Sequence, residues 1–244
     1  QALIAAAGDG QIYPVVLGKT ENGSVGLKSG EARSAGALGF KYGSYFVDNR
    51  ARGMPSHSST TVLIDPETGF PTALVNANYL NGLRTAAANA AAVQALARPE
   101  AEVLGVIGAG HQAVFEVRAV ADVRPLKLVK AWNRSVAGID YLKAELADLG
   151  VEVRGVSRAE AIAGSDIVVT ATAAREPLVM VGEVSPGTHI SAMGADGRGK
   201  QELDPALVAR ARLFADYQQQ SVRLGEFQHV VGQGLVGADA VTAL

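Results

Sequence analysis

The chain has 244 residues, 48% of them hydrophobic, and a formal net charge of −2. This is enough apolar material for one large or two small domains, and the near-neutral balance argues against nucleic acid as a partner. The lack of cysteine excludes disulfides, thiol nucleophiles and thiolate metal sites, and four scattered histidines without paired spacing give no reason to expect a metal.

No apolar run approaches a bilayer span and no signal peptide is visible, so a soluble, cytoplasmic protein without a membrane partner is expected. A start at Gln1 and an end in an Ala/Gly-rich stretch are what a trimmed or incomplete version of a longer protein would show.

Residues 11–80 carry short apolar runs at 12–17, 24–27, 37–45 and 60–65. Turn signals at Asn22-Gly23 and Asp65-Pro66-Glu67-Thr68-Gly69 separate them, which predicts a mostly antiparallel sheet. A helix is predicted over 80–96, where two alanine triplets permit close backbone approach. Arg98-Pro99 marks the expected boundary between a first domain at 1–98 and a second at 99–217. A C-terminal segment at 218–244 is expected to return toward the first domain.

The second domain opens on an apolar run, 103–107, that breaks into Gly108-Ala109-Gly110-His111-Gln112-Ala113 before a helical pattern resumes. Strand, glycine turn and helix start form the cradle of a dinucleotide pyrophosphate. Gly108 permits the tight turn, Gly110 lets the backbone approach the phosphates, and Ala113 lets the helix settle on the strand. The helix N-terminus then offers N–H groups and partial positive charge to the anion. Glycine turns also serve plain packing, so the following elements matter.

A strand at 126–132 ends in Asn133-Arg134-Ser135, where a dinucleotide fold discriminates its cofactor. No carboxylate stands there to bind a ribose 2′-hydroxyl; an amide, a guanidinium and a hydroxyl can instead hold a 2′-phosphate. Arg134 also reads as a solvated loop charge. NADP(H) is therefore the favoured cofactor, with NAD(H) the alternative. A helix at 139–149 leads to a strand at 165–172, ending in the small and hydroxylic Thr170-Ala171-Thr172, which suit a strand end facing a bound cofactor. A further strand at 188–193 runs through Met193 and Gly194, also expected at the cofactor, into Ala195-Asp196. Alternating strands and helices predict a doubly wound α/β domain with a parallel sheet.

Several blocks resemble the ornithine cyclodeaminase and mu-crystallin family. They are Lys41, residues 55–60, Asp65-Pro66-Glu67-Thr68-Gly69, Leu83-Arg84-Thr85-Ala86-Ala87, Ile107 to Ala113, and Gly194 to Leu203, in family order over almost the whole chain. Within it, residues 39–41, 55–59 and 199–212 are most similar to members that reduce iminosuccinate to aspartate. The resemblance implies a Rossmann domain joined to a sheet domain that dimerises, hence a homodimer.

The resemblance also implies roles. Lys41 and Arg84 match positions that grip a substrate α-carboxylate, Asp196 matches the acid/base carboxylate and is catalytic together with Lys41, and Ser56, His57, Arg84 and Thr85 match positions around the cofactor. Without the resemblance, Asp196 reads as a turn cap before Gly197. Lys28 lies where a cyclodeaminase is expected to place an acidic residue for a side-chain ammonium, so the reversed charge favours a second carboxylate; it also reads as a solvent lysine of a hairpin. A family arginine expected shortly after Tyr13-Pro14 is not evident, and Leu17 occupies the region. The expected function is a nicotinamide-dependent reductase of α-imino acids, with a dicarboxylic imine such as iminosuccinate as substrate. The alternatives are an ornithine- or lysine-type cyclodeaminase and a mu-crystallin-like NADPH-binding protein with little turnover.

Overall fold

The computed structural model describes residues 10–244. The chain divides into two compact units, one ending at Gly82 and one beginning at Leu83. The division falls within the helix Asn78–Leu96.

The first unit is an antiparallel sheet of β1 (Gly10–Ile12), β2 (Val16–Lys19), β3 (Ser24–Ala32), β4 (Ala37–Tyr45), β5 (His57–Ile64) and β6 (Pro71–Asn76). Its order is β1-β3-β4-β5-β6, with β2 also paired to β3. The predicted run at 12–17 is not one strand. Pro14 has no N–H to give a ladder, and the run breaks into β1 and β2, with the Tyr13 amide donating to Ser29 O at 3.0 Å. The Asp65 turn forms as expected: Asp65 Oδ1 accepts from the amides of Glu67 and Thr68 at 2.9 and 2.8 Å. The edge strand β6, not anticipated from composition, follows it, with Pro71 at its first position where a missing donor is tolerated.

In the second unit β7 (Val103–Ile107), β8 (Leu128–Trp132), β9 (Glu152–Gly155), β10 (Ile167–Thr170) and β12 (His189–Ala192) form a parallel sheet in the order β12-β10-β7-β8-β9. The helices His111–Ala121, Val136–Glu145 and Arg158–Ile162 connect its strands. Ile167 and Val169 enter one apolar core with Leu104, Val106, Val117 and Leu142. Val168 enters the other with Ile107, Ala161 and Ile162. Both faces are therefore covered, as a parallel sheet requires. This is the expected Rossmann-type doubly wound fold.

The chain progresses outward from β7 through β8 to β9, then returns to the other side of β7 for β10 and β12. The strand order thus reverses between β7 and β10, and the crevice beyond their carboxyl ends is where such sheets bind ligands. Two small parallel pairs complete the unit: β11 (Arg175–Val179) with β13 (Gln201–Leu203), and β14 (Leu213–Ala215) with β15 (Val241–Ala243). No helix of the described residues is long and apolar enough to cross a membrane.

Candidate active site

The glycine turn sits at the reversal point. Gly108 has φ of +98°, and a Cβ there would stand 2.8 Å from Ala171 O and Thr172 Cγ2. Glycine is therefore required both by conformation and by the approach of the β10 end. Gly110, the residue before the helix His111–Ala121, has extended backbone and supplies no side-chain cap. A Cβ on Gly110 would meet nothing within 4 Å. The protein's own packing does not exclude a side chain there; the space lies open at a helix N-terminus, which suits a pyrophosphate. Ala113 is fully buried, with its amide on Gly110 O. The side chains of His111 and Gln112 turn along the helix, His111 edge-on to Phe115 and Gln112 donating to Glu116 at 2.7 Å.

At the end of β8, Asn133 works inside the loop. Its Oδ1 accepts from the Ala109 amide at 3.3 Å, and its Nδ2 donates to Ser135 O and Oγ at 3.2 and 3.1 Å. The amide thereby ties the end of β8 to the glycine turn. Arg134 stays exposed at the rim of a groove of about 610 Å³, lined also by Trp132, Ile139, Val156 and Ser157.

On the other side of β7 lie Thr170-Ala171-Thr172 and Met193-Gly194. The Ala171 amide donates to Ile107 O, and the Met193 amide to Thr170 O, both at 2.9 Å. Sequence reasoning missed what organises them: Glu202, fully buried, accepts from both threonine hydroxyls and from the amides of Thr172 and Gly194. Burial pushes its carboxyl above the usual range while these donors pull it back. Only its place in the Gly199-Lys200-Gln201-Glu202 block, beside small polar strand ends, could have signalled this.

Asp196 lies two residues beyond Gly194, with Oδ1 at 2.5 Å from Lys200 Nζ. The carboxylate is 69% exposed and the lysine 27%, so the pair is open to a ligand rather than sealed. Lys200 was not singled out from sequence, although it stands in the matched block. Desolvation lowers the pKa of Arg84, opposed by the charges of Asp216 and Asp196. The structure thus places a cation of the helix Asn78–Leu96 in the electrostatic field of Asp196. Thr85 follows it, half-buried.

In the first unit, Lys28 on β3 stands directly opposite Lys41 on β4, and Thr61 on β5 is next in the row. The flanking pairs on the same sheet face are Gly26 with Gly43 and Gly30 with Gly39. Two cations with no side chains beside them in β3 or β4 repel each other unless an anion joins them. Lys41 Nζ donates to Asn81 Oδ1 at 2.8 Å, and Lys28 is exposed. Ser56 and His57 lie at the start of β5, where Ser56 O accepts from the Phe46 amide and His57 pairs with Tyr45.

The model of the ornithine cyclodeaminase/mu-crystallin family matches residues 7–243. The chain belongs to this family. It is 44% identical over 224 residues to the iminosuccinate reductase of Paracoccus denitrificans, covering 92% of this chain and 70% of that protein. The crystal structure of that reductase, in complex with NAD+, superposes with a TM-score of 0.90 at 41% identity, covering 99% of this chain and 76% of the other. The Delta(1)-pyrroline-2-carboxylate reductase of Thermococcus litoralis, with NADH and L-proline, gives 0.92 at 30% identity over 99% and 76% of the two chains. An archaeal alanine dehydrogenase dimer with bound NAD gives 0.90 at 34% identity over 99% and 77%. Family members of this fold thus carry a nicotinamide dinucleotide, as the geometry of the glycine turn fits.

Proposed function

We propose that this family member reduces α-imino acids with a nicotinamide cofactor, and that its substrate is a dicarboxylic imine such as iminosuccinate, giving aspartate. The observation that carries the dicarboxylate reading is the Lys28–Lys41 pair, two cations on one glycine-flanked sheet face. A diamino acid would meet repulsion there, while a second carboxylate would relieve it. Similarity to an iminosuccinate reductase supports the same reading.

When bound, the cofactor supplies a hydride to the imine carbon. Addition of that hydride and of one proton at nitrogen turns C=N into CH–NH and leaves the cofactor oxidised. Lys41 and Arg84 grip the α-carboxylate, a bidentate task for the arginine, and Lys28 takes the second carboxylate. Asp196 handles the proton, its carboxylate held by Lys200. The turn from Gly108 to Ala113 would hold the pyrophosphate, and Ser56, His57, Arg84, Thr85, Thr172 and Gly194 would hold the rest of the cofactor.

Arg134 and Ser135 would hold a 2′-phosphate, and NADP(H) is the favoured cofactor. Its support is the absence of a carboxylate at the end of β8 together with the exposed guanidinium; relatives bearing NAD+ or NADH keep NAD(H) as the alternative.

The functional form is a homodimer made through the first unit. Leu27, Phe40, Tyr42, Val62 and Leu74 lie on the sheet face opposite the lysines, and Leu74 is 75% exposed. An apolar face of this kind marks an interaction surface, and an archaeal relative is a dimer.

The test is steady-state oxidation of NADPH and NADH with oxaloacetate plus ammonia, pyruvate plus methylamine, and α-ketoglutarate plus ammonia. The expected preference is for the first. Ammonia release from ornithine with no net cofactor change would instead assign a cyclodeaminase.

A further inference from the structure

We propose that Glu202 is a positioning residue for the ring-binding half of the cofactor site. This rests on the reading that the crevice binds a nicotinamide dinucleotide. In a doubly wound sheet each half holds one mononucleotide. The groove at Arg134 occupies the β8 half, so the ends of β10 and β12 belong to the other. Those two ends do not bond to each other beyond the Met193 amide; they meet on one carboxylate.

Glu202 Oε2 accepts from Thr170 Oγ1 at 2.7 Å and from the Gly194 amide at 2.8 Å. Its Oε1 accepts from the amide and hydroxyl of Thr172 at 2.7 and 2.6 Å. Each carboxyl oxygen accepts two bonds, and every partner is neutral. Gly194 is glycine because a Cβ would strike Thr172 O and the Glu202 carboxylate. The bond to the Gly194 amide also closes the loop 194–202 at its base, and that loop carries Asp196 and Lys200. From behind, Glu226 holds the backbone of the same strand by accepting from the amides of Glu202 and Leu203.

A carboxyl group buried without a cation is costly to desolvate. A fully bonded buried network does fix geometry. A glutamine cannot replace it, because one of its two terminal atoms is a donor and would face the Thr172 or the Gly194 amide. The expected consequence is a shift of Thr172 and of the Asp196 loop, with Lys28 and Lys41 untouched.

The experiment compares wild type, Glu202→Gln and Thr170→Val. Thr170 is fully buried, so an effect of its near-isosteric valine on a bound dinucleotide is transmitted through Glu202. The readouts are the dissociation constants of NADH and NADPH by fluorescence without substrate, kcat and KM with oxaloacetate plus ammonia, and thermal unfolding.

Glu202→Gln is expected to weaken dinucleotide binding by about tenfold or more and to lower kcat, with the KM for the imine changed far less. Thr170→Val should move the same quantities in the same direction by a smaller factor. If Glu202→Gln does not fold, Thr170→Val decides: wild-type binding and kcat in it overturn the proposal. Folded variants that lose only thermal stability overturn it as well. A wild type that binds neither dinucleotide removes the cofactor reading itself, a failure distinct from that of Glu202.

Discussion

Lys28 and Lys41 are cross-strand neighbours on one face of the β3–β4 ladder, with glycine pairs before and after them. Like charges directly opposite each other destabilise a sheet, and the proposed function has this pair meet the carboxylates of the substrate. Lys28→Glu should cut activity on oxaloacetate plus ammonia by about tenfold to a hundredfold or more. Activity on pyruvate plus methylamine, which lacks the second carboxylate, should fall much less. Equal losses on both imines would make Lys28 a fold or dimer residue and end the dicarboxylate reading.

Asp196 is the proposed proton carrier, and its 2.5 Å contact with Lys200 keeps the carboxylate in place. Asp196→Asn preserves size but cannot exchange a proton, so turnover should fall by roughly 10² to 10⁴. Cofactor binding by fluorescence should survive. Near wild-type turnover would return Asp196 to the role of a turn cap before Gly197.

Arg134 is exposed beside the groove at the end of β8, whereas its neighbour Asn133 is occupied in tying Ala109 to Ser135. Arg134→Ala should therefore raise the KM for NADPH by about tenfold to a hundredfold and leave that for NADH nearly unchanged, as loss of one charge-assisted contact implies. Equal losses with both cofactors would overturn the NADP(H) assignment.

Burial, helped by the charge of Glu202 and opposed by the amides of Leu203 and Glu202, pushes the Glu226 carboxyl up from 4.5 to about 7. Its folded pKa is above the unfolded value, so its contribution is full below pH 4.5. Between pH 4.5 and 7 the unfolded chain ionises while the folded one keeps its proton, and stability falls by about 3 kcal/mol. Glu226→Gln keeps both backbone bonds, because Oε1 alone reaches the amides of Leu203 and Glu202 at 2.7 and 3.0 Å. Urea unfolding at pH 5 and pH 8 should show a smaller drop in the variant than in wild type. An unchanged drop would mean that Glu226 is ionised throughout.

The parallel sheet and its glycine turn were legible because β7 and β10 are apolar runs with small residues at their ends, a pattern burial on both faces imposes. The strand β9 was not, since three of its four residues, Glu152, Arg154 and Gly155, are exposed at the sheet edge. The short strands β11 and β13 are fixed by each other rather than by local propensity. Lys28 and Lys41 were each visible as candidate anion ligands. Their facing arrangement depends on the turn Arg33–Ala35 lying midway between them, which composition alone does not set. Glu202 was hidden for the opposite reason: a glutamate in a polar run reads as solvated, and only tertiary structure closes it off from water.

The most direct test of imine reduction is product analysis with isotopic nitrogen. Purified protein is incubated with oxaloacetate, ¹⁵N-ammonium and NADPH or NADH, and the products are followed by NMR. The account predicts ¹⁵N-aspartate formed in step with cofactor oxidation. Cofactor oxidation that yields malate, or no oxidation beside conversion of ornithine to proline, would contradict it.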